Sequence, residues 1–189
     1  MVPFVVALLV WLAIAIVAGV TGATSRLRPP APQLILLGLT VALVAGGRGI
    51  APVRRFLAAL DWRVIVALHL SRFVGVVFLW LYQRGDLPFA FAVPGGVGDV
   101  VVALLALGLL IFADAVAHRP RILLAWNALG MFDIVLVVVT AARLALRAPE
   151  SMAALMRFPL SLVPTFLAPL IIASHLLLFA RLRHWGRAG

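Results

Sequence analysis

The sequence predicts an all-α integral membrane protein, a single-domain bundle of six transmembrane helices over residues 1–189. Two observations lead to this prediction. Hydrophobic residues make up 65% of the chain and its mean hydropathy is +1.20, whereas soluble domains are about 45–50% apolar. The apolar residues also form separate runs, most of them long enough to cross a hydrocarbon core of about 30 Å as helices. The chain contains no cysteine, which excludes disulfides and thiolate metal sites.

The first two apolar runs differ in how well they fit a membrane span. Pro3–Val20 lacks a preceding basic segment and is longer than the roughly 7–15-residue apolar core of a signal peptide, so we expect a retained first helix. Gln33–Gly47 is short for a span and ends at two glycines. We predict that this run is the second span. The alternative is a re-entrant segment, which would leave the protein with five spans.

The third span is predicted at Val64–Tyr82 and contains two polar residues. His69 and Arg72 are three residues apart and therefore share a helix face. In the preceding segment, Pro52–Trp62, apolar side chains oppose charged ones. That pattern predicts a short amphipathic helix at the membrane interface, or the basic start of the third span.

The second half of the chain supplies three more predicted spans. Glycine, proline and aspartate punctuate Gly85–Gly98, which predicts an irregular loop. The fourth to sixth spans are predicted at Gly98–Ala117, Ile122–Ala142 and Phe158–Ala180, with a polar loop at Arg143–Arg157. Three prolines in the sixth span predict a kinked helix whose freed carbonyls need other partners.

The sixteen basic residues are all arginines, and their distribution predicts the orientation. With the N-terminus in the cytoplasm, nine arginines of the connecting segments and the tail lie on the cytoplasmic side and six on the other side. Cytoplasmic loops carry an excess of basic residues, so we expect both termini on the cytoplasmic side. The membrane is expected to be a bacterial-type inner (plasma) membrane. The net charge of +10 then reflects topology and contact with the lipid bilayer, and no nucleic-acid partner is predicted.

Several polar residues fall inside the predicted spans. An arginine at the centre of a span costs about 2.5–3.5 kcal/mol on insertion scales unless a partner receives it. Arg72 and Asp133 share a depth and have opposite charges, so we expect them to pair. Asp99 is expected to lie apart, near the outer surface, as a cap of the fourth helix. The candidate site is a buried polar pathway or ligand-binding layer of six residues: His69, Arg72, Asp114, Asn127, Asp133 and His175.

Three classes of function are consistent with such a layer. The leading hypothesis is a transporter or a proton- or ion-coupled permease, because intramembrane ionisable groups commonly line pathways. The alternative is a membrane cytochrome or sensor that binds haem b between His69 and His175. A third possibility is a non-catalytic membrane subunit or scaffold, with a homo-oligomer or a membrane subunit as partner. No GxSxG or HExxH motif is present, so no catalytic residues are predicted.

Overall fold

The computed structural model describes residues 2–185, with side chains described for residues 4–183, and all of its regular elements there are helical. The predicted locations of the two chain ends fall on Met1 and residues 186–189, outside the described residues. We number the helices in chain order as α1 Val2–Val20, α2 Ala31–Gly49, α3 Ala51–Ala59, α4 Trp62–Gln83, α5 Phe89–Ile111, α6 Ala113–Ala117, α7 Pro120–Arg147 and α8 Ala168–Trp185. A 3-10 helix, Pro149–Met156, and a π-helical segment, Val163–Leu167, precede α8.

Five helical stretches are long and apolar enough to cross a membrane. They are α2, α4, α5, α7 and the stretch Val163–Arg183, which includes most of α8. The six-span prediction is not confirmed, because Phe4–Val20, the part of α1 whose side chains the structure describes, is shorter than these five stretches. The run predicted at Gln33–Gly47 forms the longer helix α2, since a proline in its first turn starts the helix without needing a hydrogen-bonded N–H. The apolar helices are compatible with a membrane location.

Two predicted loops are largely helical. Most of Gly85–Gly98 belongs to α5, which starts at Phe89 and continues through Pro94. Proline and glycine are tolerated inside apolar helices of this kind because neighbouring groups satisfy the freed backbone. The predicted loop Arg143–Arg157 contains the end of α7 and the 3-10 helix.

The segment before α4 also differs from its prediction. The amphipathic helix is α3, which is shorter than Pro52–Trp62 and has no buried residue. Asp61 caps α4 instead of ending α3, because its Oδ1 accepts a hydrogen bond of 2.8 Å from the backbone N–H of Arg63.

The described chain contains two compact units, and the expectation of one domain stays a prediction. The first unit comprises residues 2–60 and 141–170. Within it, the rings of Trp11 and Phe166 have centroids 4.7 Å apart, and those of Phe4 and Phe56 lie 5.1 Å apart. The hydroxyl of Thr24 donates a 2.7 Å hydrogen bond to the carbonyl of Met156.

The second unit comprises residues 61–140 and 171–185 and contains the candidate site. Its core is formed by buried apolar side chains of α4, α5, α7 and α8, among them Val66, Val102, Leu123 and Leu178. Helices α4 and α5 approach each other closely where two glycines, Gly75 and Gly96, face one another. A Cβ atom on Gly96 would lie 2.7 Å from the carbonyl oxygen of Gly75, so this backbone contact depends on residues without side chains.

Candidate functional site: a buried arginine between two carboxylates

Arg72 is completely buried, and each of its guanidinium nitrogens has an acceptor. It lies in the middle of α4, within a 3-10 segment, His69–Val74, that interrupts the α-helix. Nε donates to Asp99 Oδ1 at 2.7 Å, Nη1 donates to the carbonyl oxygen of Gly130 at 3.0 Å, and Nη2 donates to Asp133 Oδ2. The structure therefore brings Arg72 and Asp133 together and adds a second carboxylate. We call Arg72, Asp99 and Asp133 the charged cluster.

Asp99 does not occupy the position expected from the sequence. It was expected to cap a helix beginning at Gly98, near the outer surface. Because α5 begins at Phe89, Asp99 lies inside the helix and is 3% exposed. The close approach of α4 and α5 at Gly75 and Gly96 brings its carboxylate to the guanidinium of Arg72.

The charged cluster has an unequal number of charges. One guanidinium faces two carboxylates, so the three groups carry a net charge of −1 when all are ionised. Taking an uncompensated charge out of water costs several kcal/mol. The cluster becomes neutral when it takes up one proton or one monovalent cation.

A second polar group lies in the same unit and contains His69 and His175, both completely buried. Their ring centroids are 4.3 Å apart, and the ring of Trp126 meets the ring of His69 edge-on at 4.9 Å. His69 Nε2 is 3.0 Å from Ser174 Oγ, and His175 Nδ1 is 2.8 Å from Asn127 Oδ1. The structure thus joins three of the predicted residues, His69, Asn127 and His175, in one contact group, which we call the histidine pair with its anchors.

Asp114 does not join either group. Its side chain is fully exposed in the short helix α6, and it forms a 3.2 Å ion pair with the partly exposed Arg63. The prediction placed Asp114 inside a span ending at Ala117. In the structure α5 ends at Ile111, so Asp114 lies beyond that helix.

The arrangement of the two histidines does not fit a haem held between them. Metal–nitrogen bonds of about 2 Å on either side of a metal would separate the ligand nitrogens by roughly 4 Å and the ring centres by more. The observed ring centroids are only 4.3 Å apart, which leaves no room for a metal between the two rings. Among the residues that the structure describes, no group of three His, Cys, Asp or Glu side chains could hold a metal ion.

Sequence reasoning missed three members of the site: Asp99, Trp126 and Ser174. For Asp99 a signal was present. Small residues and Asp99 recur at alternating intervals of four and three through α5, which is the spacing of one helix face, and all of them are buried: Ala92, Gly96, Asp99, Ala103 and Ala106. This spacing indicates a continuous helix with a closely packed face that includes Asp99.

The fold and the site define an all-helical protein with apolar, span-length helices and a buried charged centre. The chain belongs to DUF8737, a family described as a domain of unknown function, whose model matches residues 29–183. The matched range contains the charged cluster and the histidine pair with its anchors. Neither a curated protein nor a solved structure matches the chain.

Proposed function

We propose that this protein is a small multi-pass transporter of the inner (plasma) membrane, coupled to protons or cations, with the charged cluster as its ion-binding centre. The observation that carries the proposal is a single buried guanidinium held by two carboxylates, one of them buried (Asp99) and the other partly buried (Asp133). Both termini are assigned to the cytoplasm from the distribution of arginines.

The charge count favours ion binding over scaffolding. A pair of opposite charges is enough to fix the register of two helices, and it leaves no net charge in the hydrocarbon. A second carboxylate adds a charge that needs a counter-ion. Ionisable groups in membrane spans commonly mark ion pathways and proton relays for this reason.

The backbone around Arg72 also supports a site that changes conformation. The 3-10 segment His69–Val74 replaces α-helical hydrogen bonds in the middle of α4. Such segments inside helices often mark functional hinges. Arg72 lies on this segment, so a local change between 3-10 and α-helical geometry would move the guanidinium relative to its two carboxylates.

Ion flux into vesicles tests the proposal. The purified full chain is reconstituted into vesicles of phosphatidylethanolamine and phosphatidylglycerol, and a potassium–valinomycin potential, negative inside, drives cations inward. Internal pyranine reports protons, and radioactive sodium reports a metal cation. We expect the native protein to pass one of these ions at least about tenfold faster than protein-free vesicles do, as a coupled pathway through charged groups implies.

The test includes a matched pair of variants. Asp99→Asn keeps an oxygen acceptor for Arg72 Nε but makes the cluster neutral, so we expect it to lose the flux. Asp86→Asn changes an exposed carboxylate that pairs with Arg84, and it is expected to keep the flux. Flux through the native protein no faster than through protein-free vesicles would contradict the proposal and favour the membrane-subunit alternative.

A further inference from the structure

Each ring of the histidine pair has one hydrogen-bonded nitrogen and one free nitrogen, and the neighbouring groups determine which of the two carries the proton. His175 is fixed by Asn127, which makes two contacts with it. Asn127 Nδ2 donates to the backbone carbonyl oxygen of His175 at 3.1 Å, and a carbonyl oxygen can only accept. The amide oxygen Oδ1 therefore faces His175 Nδ1, which must carry the proton of their 2.8 Å hydrogen bond. In the neutral ring, Nε2 is then an unprotonated acceptor.

The same reasoning gives the opposite tautomer for His69. The hydroxyl of Ser174 donates to the carbonyl oxygen of Ile171 at 2.7 Å, so its proton is already used. Ser174 Oγ therefore accepts from His69 Nε2 across 3.0 Å. The proton of His69 lies on Nε2, and Nδ1 is the unprotonated acceptor.

These two acceptors have no hydrogen-bond partner among the described residues. His69 Nδ1 and His175 Nε2 are both buried and unpaired there, although most buried polar atoms in proteins are hydrogen-bonded. A Cβ atom on Gly130 would lie 3.0 Å from His175 Nε2, so this nitrogen faces the backbone of the residue whose carbonyl accepts from Arg72. The histidine pair thus adjoins the charged cluster.

We infer that the ion bound beside the charged cluster is a proton, and that the free nitrogens of His69 and His175 are its acceptors. This inference rests on the proposed function and specifies its coupling ion. A hydronium ion at the site transfers its proton: one of its O–H bonds breaks, an N–H bond forms at the free lone pair of one ring, and a water molecule is left. The ring becomes an imidazolium, and transfer of the proton from the same nitrogen back to water restores the neutral pair.

One added proton brings the net charge of the histidine pair and the charged cluster to zero. The positive charge of Arg72 from α4 opposes an added proton on either ring, and the two carboxylates that hold Arg72, Asp99 from α5 and Asp133 from α7, carry one negative charge more than is needed to offset it. One imidazolium added to a cluster of net charge −1 gives a neutral group.

Metal cations fit these two nitrogens less well than a proton does. Sodium and other hard cations prefer oxygen ligands. Transition metals bind imidazole, but the two rings offer only two neutral ligands and already touch each other. A proton needs one lone pair, which either ring supplies.

Isosteric substitutions in the flux assay test the inference. The amide nitrogen of glutamine matches the position of imidazole Nε2, and that of asparagine matches Nδ1. His69→Gln and His175→Asn therefore keep the hydrogen bonds to Ser174 and Asn127 but remove the free nitrogens. We expect the native protein to pass protons and not sodium, and we expect both variants to lose at least about tenfold in proton flux.

The outcomes separate this inference from the proposed function. Proton flux that falls in Asp99→Asn but persists in both histidine variants would overturn the inference alone. Sodium flux without proton flux would also overturn it while leaving ion coupling intact. No flux of either ion through the native protein would overturn both.

A measurement on the native protein removes any dependence on how the variants fold. Nitrogen-15 NMR of histidine-labelled protein in bilayers distinguishes the two neutral tautomers, and the chain has only four histidines to assign. We expect Nε2–H for His69 and Nδ1–H for His175. The reverse tautomers would place the lone pairs against Ser174 and Asn127 and would overturn the inference.

Discussion

At the scale of single residues, Arg72 determines the electrostatics of the site. Its side chain is completely buried, and its three nitrogens use acceptors from two other helices, α5 and α7. Charge-assisted hydrogen bonds of this kind are stronger than neutral ones. When these hydrogen bonds are lost, the charged partners remain in a site where little water is available to form hydrogen bonds in their place.

Removal of Arg72 is therefore expected to cost more than removal of the whole cluster. Arg72→Met leaves the buried carboxylate of Asp99 and the partly buried carboxylate of Asp133 without a cation, and breaking a buried ion pair costs about 3–5 kcal/mol. The triple variant Arg72→Met, Asp99→Asn, Asp133→Asn has no buried charge at this place, so we expect it to regain most of that stability. Thermal unfolding in detergent measures both. A triple variant no more stable than Arg72→Met would show that the three residues are not coupled.

Gly98 gives a second prediction at this scale, because its missing side chain makes room for Asp133. A Cβ atom at Gly98 would overlap Asp133 Oδ1. We expect Gly98→Ala to push this carboxylate from Arg72, to lower the unfolding temperature and to reduce ion flux.

Gly108→Ala is the matched control in the same helix. A Cβ atom there meets nothing within 4 Å, and replacing a helical glycine by alanine is worth about 0.5–1 kcal/mol. This variant should be as stable as the native protein or more so. Equal behaviour of the two alanine variants would contradict the packing described around Asp133.

At the scale of elements, the sequence predicts the apolar helices better than their irregularities. The prediction at Val64–Tyr82 corresponds to α4, but the residue types of His69–Val74 do not predict the 3-10 geometry of that segment. The start of α5 was predicted wrongly because its proline and glycine residues are typical of loops. In the structure, packing of a face of small residues against α4 outweighs that local preference. Comparison of the depths of polar residues in the predicted spans correctly paired Arg72 with Asp133. It misplaced Asp99 and Asp114, because their positions depend on where α5 starts and ends.

A proline and a tryptophan in the first compact unit give a prediction at this scale. Pro169 has no N–H to donate to the carbonyl of Thr165 one turn earlier. The indole Nε1 of Trp11 donates to that carbonyl instead, at 3.0 Å. Trp11→Phe should cost about 0.5–1.5 kcal/mol for the lost hydrogen bond, beyond the change in packing.

A double-mutant cycle with Pro169→Ala isolates this effect. Alanine at position 169 restores a backbone donor for Thr165, so Trp11→Phe should cost less in that background. Unfolding temperatures of the four proteins measure the coupling. Equal costs of Trp11→Phe in both backgrounds would mean that the indole does not replace the missing donor.

At the scale of the whole molecule, the number and direction of the spans can be tested directly. The chain has no cysteine, so single cysteines can be introduced without a background. With six spans and a cytoplasmic N-terminus, Ser25→Cys and Ala148→Cys should react with an impermeant maleimide added to intact cells. Arg119→Cys should react only after lysis.

A cysteine added ahead of residue 1 distinguishes six spans from five. If α1 crosses the membrane, this cysteine and Ser25→Cys lie on opposite sides and differ in their labelling. Identical labelling of the two from outside would contradict the six-span proposal and leave five spans. Labelling of Arg119→Cys in intact cells, with Ala148→Cys protected, would instead reverse the orientation.

Charge displacement tests whether the buried Arg72 and its two carboxylates bind an ion. Vesicles containing the purified protein are adsorbed on a solid-supported membrane, and a rapid change of pH or sodium concentration is applied. We predict a transient current for the native protein that is at least about tenfold smaller in Asp99→Asn, whose cluster is already neutral. Equal currents in the two proteins would mean that the charged cluster does not bind the ion.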